Sequence, residues 1–102
     1  MRPFEIYNAA AEFKGCTDLR PWLIVQQRTP ELFACFPISG ENYSGIGFQL
    51  QSDHPDFGAT GLQKTCYILD EALFELPISA FKRRRGKLAG ELLVLFKEYA
   101  GL

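Results

Sequence analysis

Arg20 stands directly before Pro21 and the apolar run Trp22-Leu23-Ile24-Val25. Proline removes a backbone donor and restricts the residue before it to extended geometry. The guanidinium is therefore expected at the mouth of a strand with little backbone freedom. A fixed arginine presents a planar fork of donors that fits the oxygens of an anion such as phosphate. The bland reading is a surface arginine ahead of an edge-strand proline. Ser39 closes a second apolar run, Leu32 to Ile38. Arg28-Thr29-Pro30-Glu31 between the two runs has turn chemistry, so the runs read as a hairpin. In such a hairpin Arg20 opens one strand and Ser39 closes the next, which sets a cation and a hydroxyl at the same end of the sheet.

Five of the eleven basic residues crowd into Lys82-Arg83-Arg84-Arg85-Gly86-Lys87. This run is either a solvated edge strand whose charges discourage sheet-to-sheet association, or a stripe that tracks a phosphate backbone. In extended form Lys82 and Arg84 would face one side, and Arg83, Arg85 and Lys87 the other. Only one set could touch a ligand. The net charge of −1 argues against a globally basic nucleic-acid binder.

Elimination narrows the chemistry further. There is one histidine, His54, so a two-histidine acid/base pair is impossible. No HExxH, GxSxG or phosphate-cradling GxxxxGK[ST] pattern is present. His54 falls in Ser52-Asp53-His54-Pro55-Asp56 and reads as a solvated loop residue, or else as a titrating group beside two aspartates. The three cysteines, Cys16, Cys35 and Cys66, are far apart and form no CxxC pair. Neither zinc nor a disulfide framework is expected, and reduced thiols in a cytoplasmic protein are. No metal or other cofactor is expected. Gly58-Ala59-Thr60-Gly61 reads as a turn, not a dinucleotide fingerprint.

The elements that must hold these residues follow from local pattern. The 102 residues, 47% hydrophobic, suit a single globular domain over 1–102. Strands are expected at Phe4 to Tyr7, Trp22 to Gln27, Leu32 to Ile38, Ile46 to Leu50 and Thr65 to Leu69. Ala72 to Leu76 would continue the last of these past a kink at Asp70-Glu71, and Pro77 to Phe81 suits one helical turn. A helix from about Gly90 would bury Leu92, Leu95, Phe96 and Tyr99 on one face. Glu91 and Lys97 suit its two ends, and Gly101 stops it. The sum is a mainly β fold, five to seven short strands closed by a C-terminal helix, which suggests a small barrel. No apolar run is long enough to span a membrane, and no leader pattern opens the chain.

Taken in order, these motifs resemble the MazF/PemK-like toxin family of toxin–antitoxin systems. Leu19-Arg20-Pro21-Trp22-Leu23-Ile24-Val25 is similar to that family's arginine–proline start of its second strand. Phe36-Pro37-Ile38-Ser39 is similar to the end of its third, where threonine is usual. Glu5-Ile6-Tyr7 is similar to its first strand, with Phe4 where glycine is common. Thr65 to Asp70, Ile78-Ser79-Ala80-Phe81, Arg84-Arg85-Gly86-Lys87-Leu88 and the helix follow its C-terminal half. The resemblance implies an SH3-like barrel, a homodimer, an antitoxin partner and metal-independent cleavage of single-stranded RNA. It implies that catalysis rests on Arg20 and Ser39. Under that reading the basic run, Arg83, Arg84, Arg85 and Lys87, is expected to bind RNA without being the reaction centre. It implies attack by a ribose 2′-hydroxyl, for which Glu5, Asp18, Asp70 and His54 are the candidate bases. Leu73 and Phe74 are expected to be exposed or to face a dimer partner. Two other readings share the fold: a non-catalytic barrel that binds a protein such as DNA gyrase, and a diverged interaction domain.

Overall fold

The computed structural model describes residues 1–42, 45 and 47–102. Its strands are β1 (Glu5–Ala10), β2 (Leu19–Thr29), β3 (Leu32–Ser39), β4 (Phe48–Leu50), β5 (Cys66–Ile68), β6 (Phe74–Pro77) and β7 (Phe81–Lys87), followed by the helix α1 (Gly90–Ala100). Short 3-10 turns cover Phe57–Thr60 and Ile78–Ala80. All pairings are antiparallel. The hydrogen-bonded order is β4-β5-β3-β2-β1-β7, with β6 pairing to β3. The two ends of that path do not pair with each other, so the expected small barrel is an unclosed one. Ile46, expected to begin the fourth strand, lies outside the described residues.

β2 reads as a continuous apolar run because both of its faces are buried. Trp22 and Ile24 join Ala9, Phe13, Phe33, Cys35, Leu69 and Leu76 on one side of the sheet. Leu23 joins Ile6, Phe36, Ile38, Leu50, Leu92 and Phe96 on the other. The hairpin of β2 and β3 is as the sequence suggests, with Trp22 opposite Pro37, Leu23 opposite Phe36 and Ile24 opposite Cys35. β5 and β6 lie in line along β3: Ser39 and Ile38 pair with β5, and Cys35 to Leu32 pair with β6. They are the two halves of one interrupted strand, as the kink at Asp70-Glu71 implied.

The buried face of α1 is narrower than its sequence indicates. Leu92 and Phe96 are buried, but Leu95 and Tyr99 keep 41% and 45% of their surface exposed. The helix meets the sheet along an i, i+4 seam, where the Phe36 and Phe48 rings approach Phe96 edge-on at 6.4 and 5.4 Å. Tyr99 only reaches Phe48 from the side, at 5.4 Å. Gly101 ends the helix in the left-handed region, φ 72°, and its N–H donates to the Lys97 carbonyl. At the other end the Asp56 carboxylate accepts from the Glu91 N–H at 2.9 Å, taking one of the donors that a helix start leaves free.

Phe4 takes a glycine-like backbone geometry before β1. Its φ is 67°, in the left-handed region, which costs a side-chain-bearing residue about 1–2 kcal/mol. The Phe4 ring offsets that cost by packing against the core and by lying 5.1 Å below the Lys97 ammonium.

Candidate active site

The register of the β2–β3 hairpin fixes the relation between Arg20 and Ser39. Carried two residues beyond Trp22 and Pro37, it sets Arg20 across from Ser39. Strand alternation puts Arg20 on the face of Trp22 and Ile24, and Ser39 on the face of Cys35 and Pro37. Both line one cleft of about 720 Å³, together with Asp18, Gly40, Gln63, Lys64, Cys66 and Arg85.

Arg20 is held by aromatic packing. Its guanidinium carbon lies 5.0 Å from the centre of the Phe13 ring. Its Nε is buried and has no acceptor. Among the described residues no carboxylate forms an ion pair with it. The charge is therefore oriented but not neutralised, which is what an anion site needs. Ser39 is 7% exposed, and its hydroxyl oxygen accepts from the Glu41 N–H at 3.1 Å. That bond uses a lone pair and leaves the hydroxyl proton free to donate.

Two further cations reach the cleft. A Cβ placed on Gly40 would come within 3.1 Å of the Lys64 Cε and Nζ, so the ammonium lies close over the backbone next to Ser39. Arg85 is half-buried. Its Nε and Nη2 donate to the Gly61 carbonyl at 3.3 and 2.8 Å, and its Nη1 donates to Asn8 Oδ1 at 3.2 Å. Asp18 is the carboxylate of this lining. The Cys66 thiol is pushed up by burial, against the pull of Lys64 and Arg85. All three cysteines are free, and burial alone raises Cys35 to about 12.

The basic stripe is divided by a β-bulge. β7 pairs Gly86 with Ile6 but Arg84 with Tyr7, so Arg85 is left without a partner across the ladder. The bulge resets the alternation, and Arg84 and Lys87 line the same hollow by the N-terminus, where the sequence placed them on opposite sides. Arg84 is bound to Glu5 at 2.8 Å. Arg83 and Lys87 are exposed. A hollow of about 490 Å³ containing Asn8, Gly61, Arg83 and Arg84 adjoins the cleft, sharing Gln63 and Arg85 with it.

Of the four candidate bases, Asp18 lines the cleft. Glu5 is occupied by Arg84 and by the Arg2 N–H at 2.6 Å. Burial works to raise its carboxyl, but those two partners hold it below the usual 4.5. His54 is not a solvated loop residue. It is half-buried, accepts the Asp56 N–H on Nδ1 at 3.0 Å, and faces Glu91 Oε1 with Nε2 at 3.0 Å. With Nδ1 accepting, the ring proton sits on Nε2, and the residue ties its loop to the start of α1. Asp70 lies beside Tyr99 at the far end of that helix, where burial first and then the carboxylate push the phenol up. Phe74 packs inward against Trp22 and Phe13, at 5.3 and 5.8 Å between rings, while its neighbour Leu73 is 43% exposed.

Sequence reasoning missed Lys64 and Phe13. Gly40 after Ser39 leaves room for another group, but only the fold brings Lys64 to that space. A separate hollow of about 450 Å³ beside Phe13, lined by Glu12, Lys14, Leu69, Glu71, Ala72 and Phe74, shares no residue with this cleft.

The chain is similar in structure to the Mycobacterium tuberculosis toxin MazF-mt6, with a TM-score of 0.70 and 17% sequence identity over 98% of this chain and 93% of that one. The likeness is one of fold: seven strands and a C-terminal helix in a MazF-like arrangement. No protein-family model and no curated protein matches the chain. Among the described residues no helix is long and apolar enough to cross a membrane.

Proposed function

We propose that this chain is a toxin-type endoribonuclease that cuts single-stranded RNA in the cleft between Arg20 and Ser39. The observation that carries the reading is the unneutralised Arg20 guanidinium set across from the Ser39 hydroxyl, with Lys64 and Arg85 beside them, on a MazF-like fold.

The chemistry is an internal transfer. The ribose 2′-oxygen attacks the adjacent phosphorus, the P–O5′ bond breaks, and a cyclic phosphate and a free 5′-hydroxyl result. Arg20 and Lys64 face the charge that builds on the phosphoryl oxygens. A positioned donor of this kind is worth about 10²–10³ in rate. Ser39 adds a neutral hydrogen bond to the same group. A guanidinium stays protonated and cannot act as base. Asp18 is the residue we assign to take the 2′-hydroxyl proton, since it is the carboxylate of the lining. The leaving 5′-oxygen takes a proton from solvent. The RNA backbone continues past Gln63 and Arg85 to Arg83, along the adjoining hollow. Exposed apolar side chains on several elements, among them Leu19, Val94 and Leu102, fit a homodimer and an antitoxin partner that covers the toxin.

The test is incubation of the purified protein with long single-stranded RNA, followed by mapping of the new ends. Cuts carrying 5′-hydroxyls at a short recurrent motif, formed equally in EDTA, are expected. Intact RNA, or cleavage that needs added Mg²⁺, would overturn the reading.

A further inference from the structure

The segment between β1 and β2 contains a small hairpin of its own. Phe13 and Cys16 exchange backbone hydrogen bonds, the Phe13 N–H donating at 2.8 Å and the Cys16 N–H at 3.0 Å. Lys14 and Gly15 turn the chain between them with φ 53° and 76°, the paired positive values of a two-residue turn. This turn folds Phe13 back into the interior, where it is 8% exposed. Trp22 and Phe74 meet its ring edge-on, at 6.3 and 5.8 Å. The ring is thereby fixed from the sides, and Arg20 lies over it at 5.0 Å.

We propose that Phe13 is the positioning residue for Arg20, a buried ring that aims the guanidinium into the cleft without cancelling its charge. The proposal rests on the ribonuclease reading for its consequence, though not for the stacking itself. A carboxylate in this position would hold the guanidinium as firmly, but would place a negative charge beside the incoming phosphate. A ring face attracts a cation through its quadrupole and carries no net charge. It leaves the terminal N–H groups directed away from the ring plane's centre and available to the substrate. Pro21 fixes the backbone of Arg20 from one side, and Phe13 fixes the end of its side chain. The Lys14 ammonium also approaches this ring, at 5.9 Å, so the test must read Arg20 itself.

The experiment joins a spectrum with kinetics. In isotope-labelled wild-type protein, the Arg20 δ and ε protons should be shifted upfield by the Phe13 ring current. Phe13→Leu should abolish that shift and lower kcat by roughly ten- to a hundredfold, the scale of a catalytic group displaced by about 1 Å, with KM little changed. Phe13→Tyr keeps the ring and should preserve both the shift and kcat. If Phe13→Leu does not fold, Phe13→Met replaces it as the ringless variant. Unshifted Arg20 protons in the wild type would overturn the proposal. So would a folded ringless variant that cleaves at the wild-type rate, or a Phe13→Tyr that loses as much as Phe13→Leu. If the wild-type protein leaves RNA intact while its Arg20 protons are shifted, the ribonuclease reading falls and the stacking assignment stands.

Discussion

On the proposed reading the Ser39 hydroxyl has two tasks, and substitutions show whether it is needed. It accepts the Glu41 N–H and has its own proton left for a phosphate. Ser39→Ala loses both, and should lower the melting temperature by the equivalent of about 1 kcal/mol as well as slow cleavage. Ser39→Thr keeps the hydroxyl with fewer rotamers and should cleave at least as well as wild type. A Thr variant as slow as Ala, measured on one RNA with melting curves as control, would show that the hydroxyl is not what matters. Lys64→Met should slow cleavage without altering stability, since the side chain is exposed. That Arg20 and Ser39 meet was legible because each ends an apolar run that the chain must pair, and pairing fixes which ends come together. Phe13 and Lys64 were not legible. Their places depend on the turn at Lys14-Gly15 and on the empty side of Gly40, which are set by the fold rather than by periodicity.

At the scale of elements, β7 is where sequence pattern and structure part. Strict alternation assumes an unbroken ladder, and the bulge at Arg85 and Gly86 breaks it. The cause lies in packing. A Cβ on Gly86 would sit 2.2 Å from the Ala59 carbonyl oxygen, because the 3-10 turn over Phe57–Thr60 presses against the strand there. Gly86→Ala should therefore cost about 3 kcal/mol or more, read as a fall in melting temperature; a variant as stable as wild type would refute the tight contact. The stripe also divides by task. Arg83→Ala should reduce the slope of log affinity against log salt by about 0.7 and leave stability unchanged. Arg84→Ala should act through Glu5. That carboxyl titrates below 4.5 when folded, so it adds stability above its unfolded value and loses it as pH falls through the folded one. Glu5→Gln should flatten the decline of melting temperature as pH falls below the usual 4.5. An unchanged acid profile would mean the pairing with Arg84 contributes nothing. α1 teaches the same lesson as β7: four apolar residues share a stripe in sequence, but the flat sheet edge has room for Leu92 and Phe96.

Over the whole molecule, the order of strands and the closing helix were legible because apolar runs, turn residues and a change of period mark them. The unclosed sheet and the split of the core into two faces were not, since both depend on how far the sheet curls. Leu19, Ile78, Val94, Leu95 and Leu102 each remain at least 41% exposed, apolar surface that a second copy would cover in the proposed homodimer. Sedimentation at micromolar concentration should find a dimer, and a monomer would contradict that part of the account. On the proposed reading, an uncompensated arginine held at a strand start cleaves RNA. The most direct test is the single-turnover cleavage rate of Arg20→Ala beside wild type, with Arg20→Lys as the intermediate case and melting temperatures measured for all three. Arg20→Ala is expected to be folded and inactive, and Arg20→Lys to recover part of the rate by restoring charge without the fork. A folded Arg20→Ala that cleaves as fast as wild type would contradict that reading.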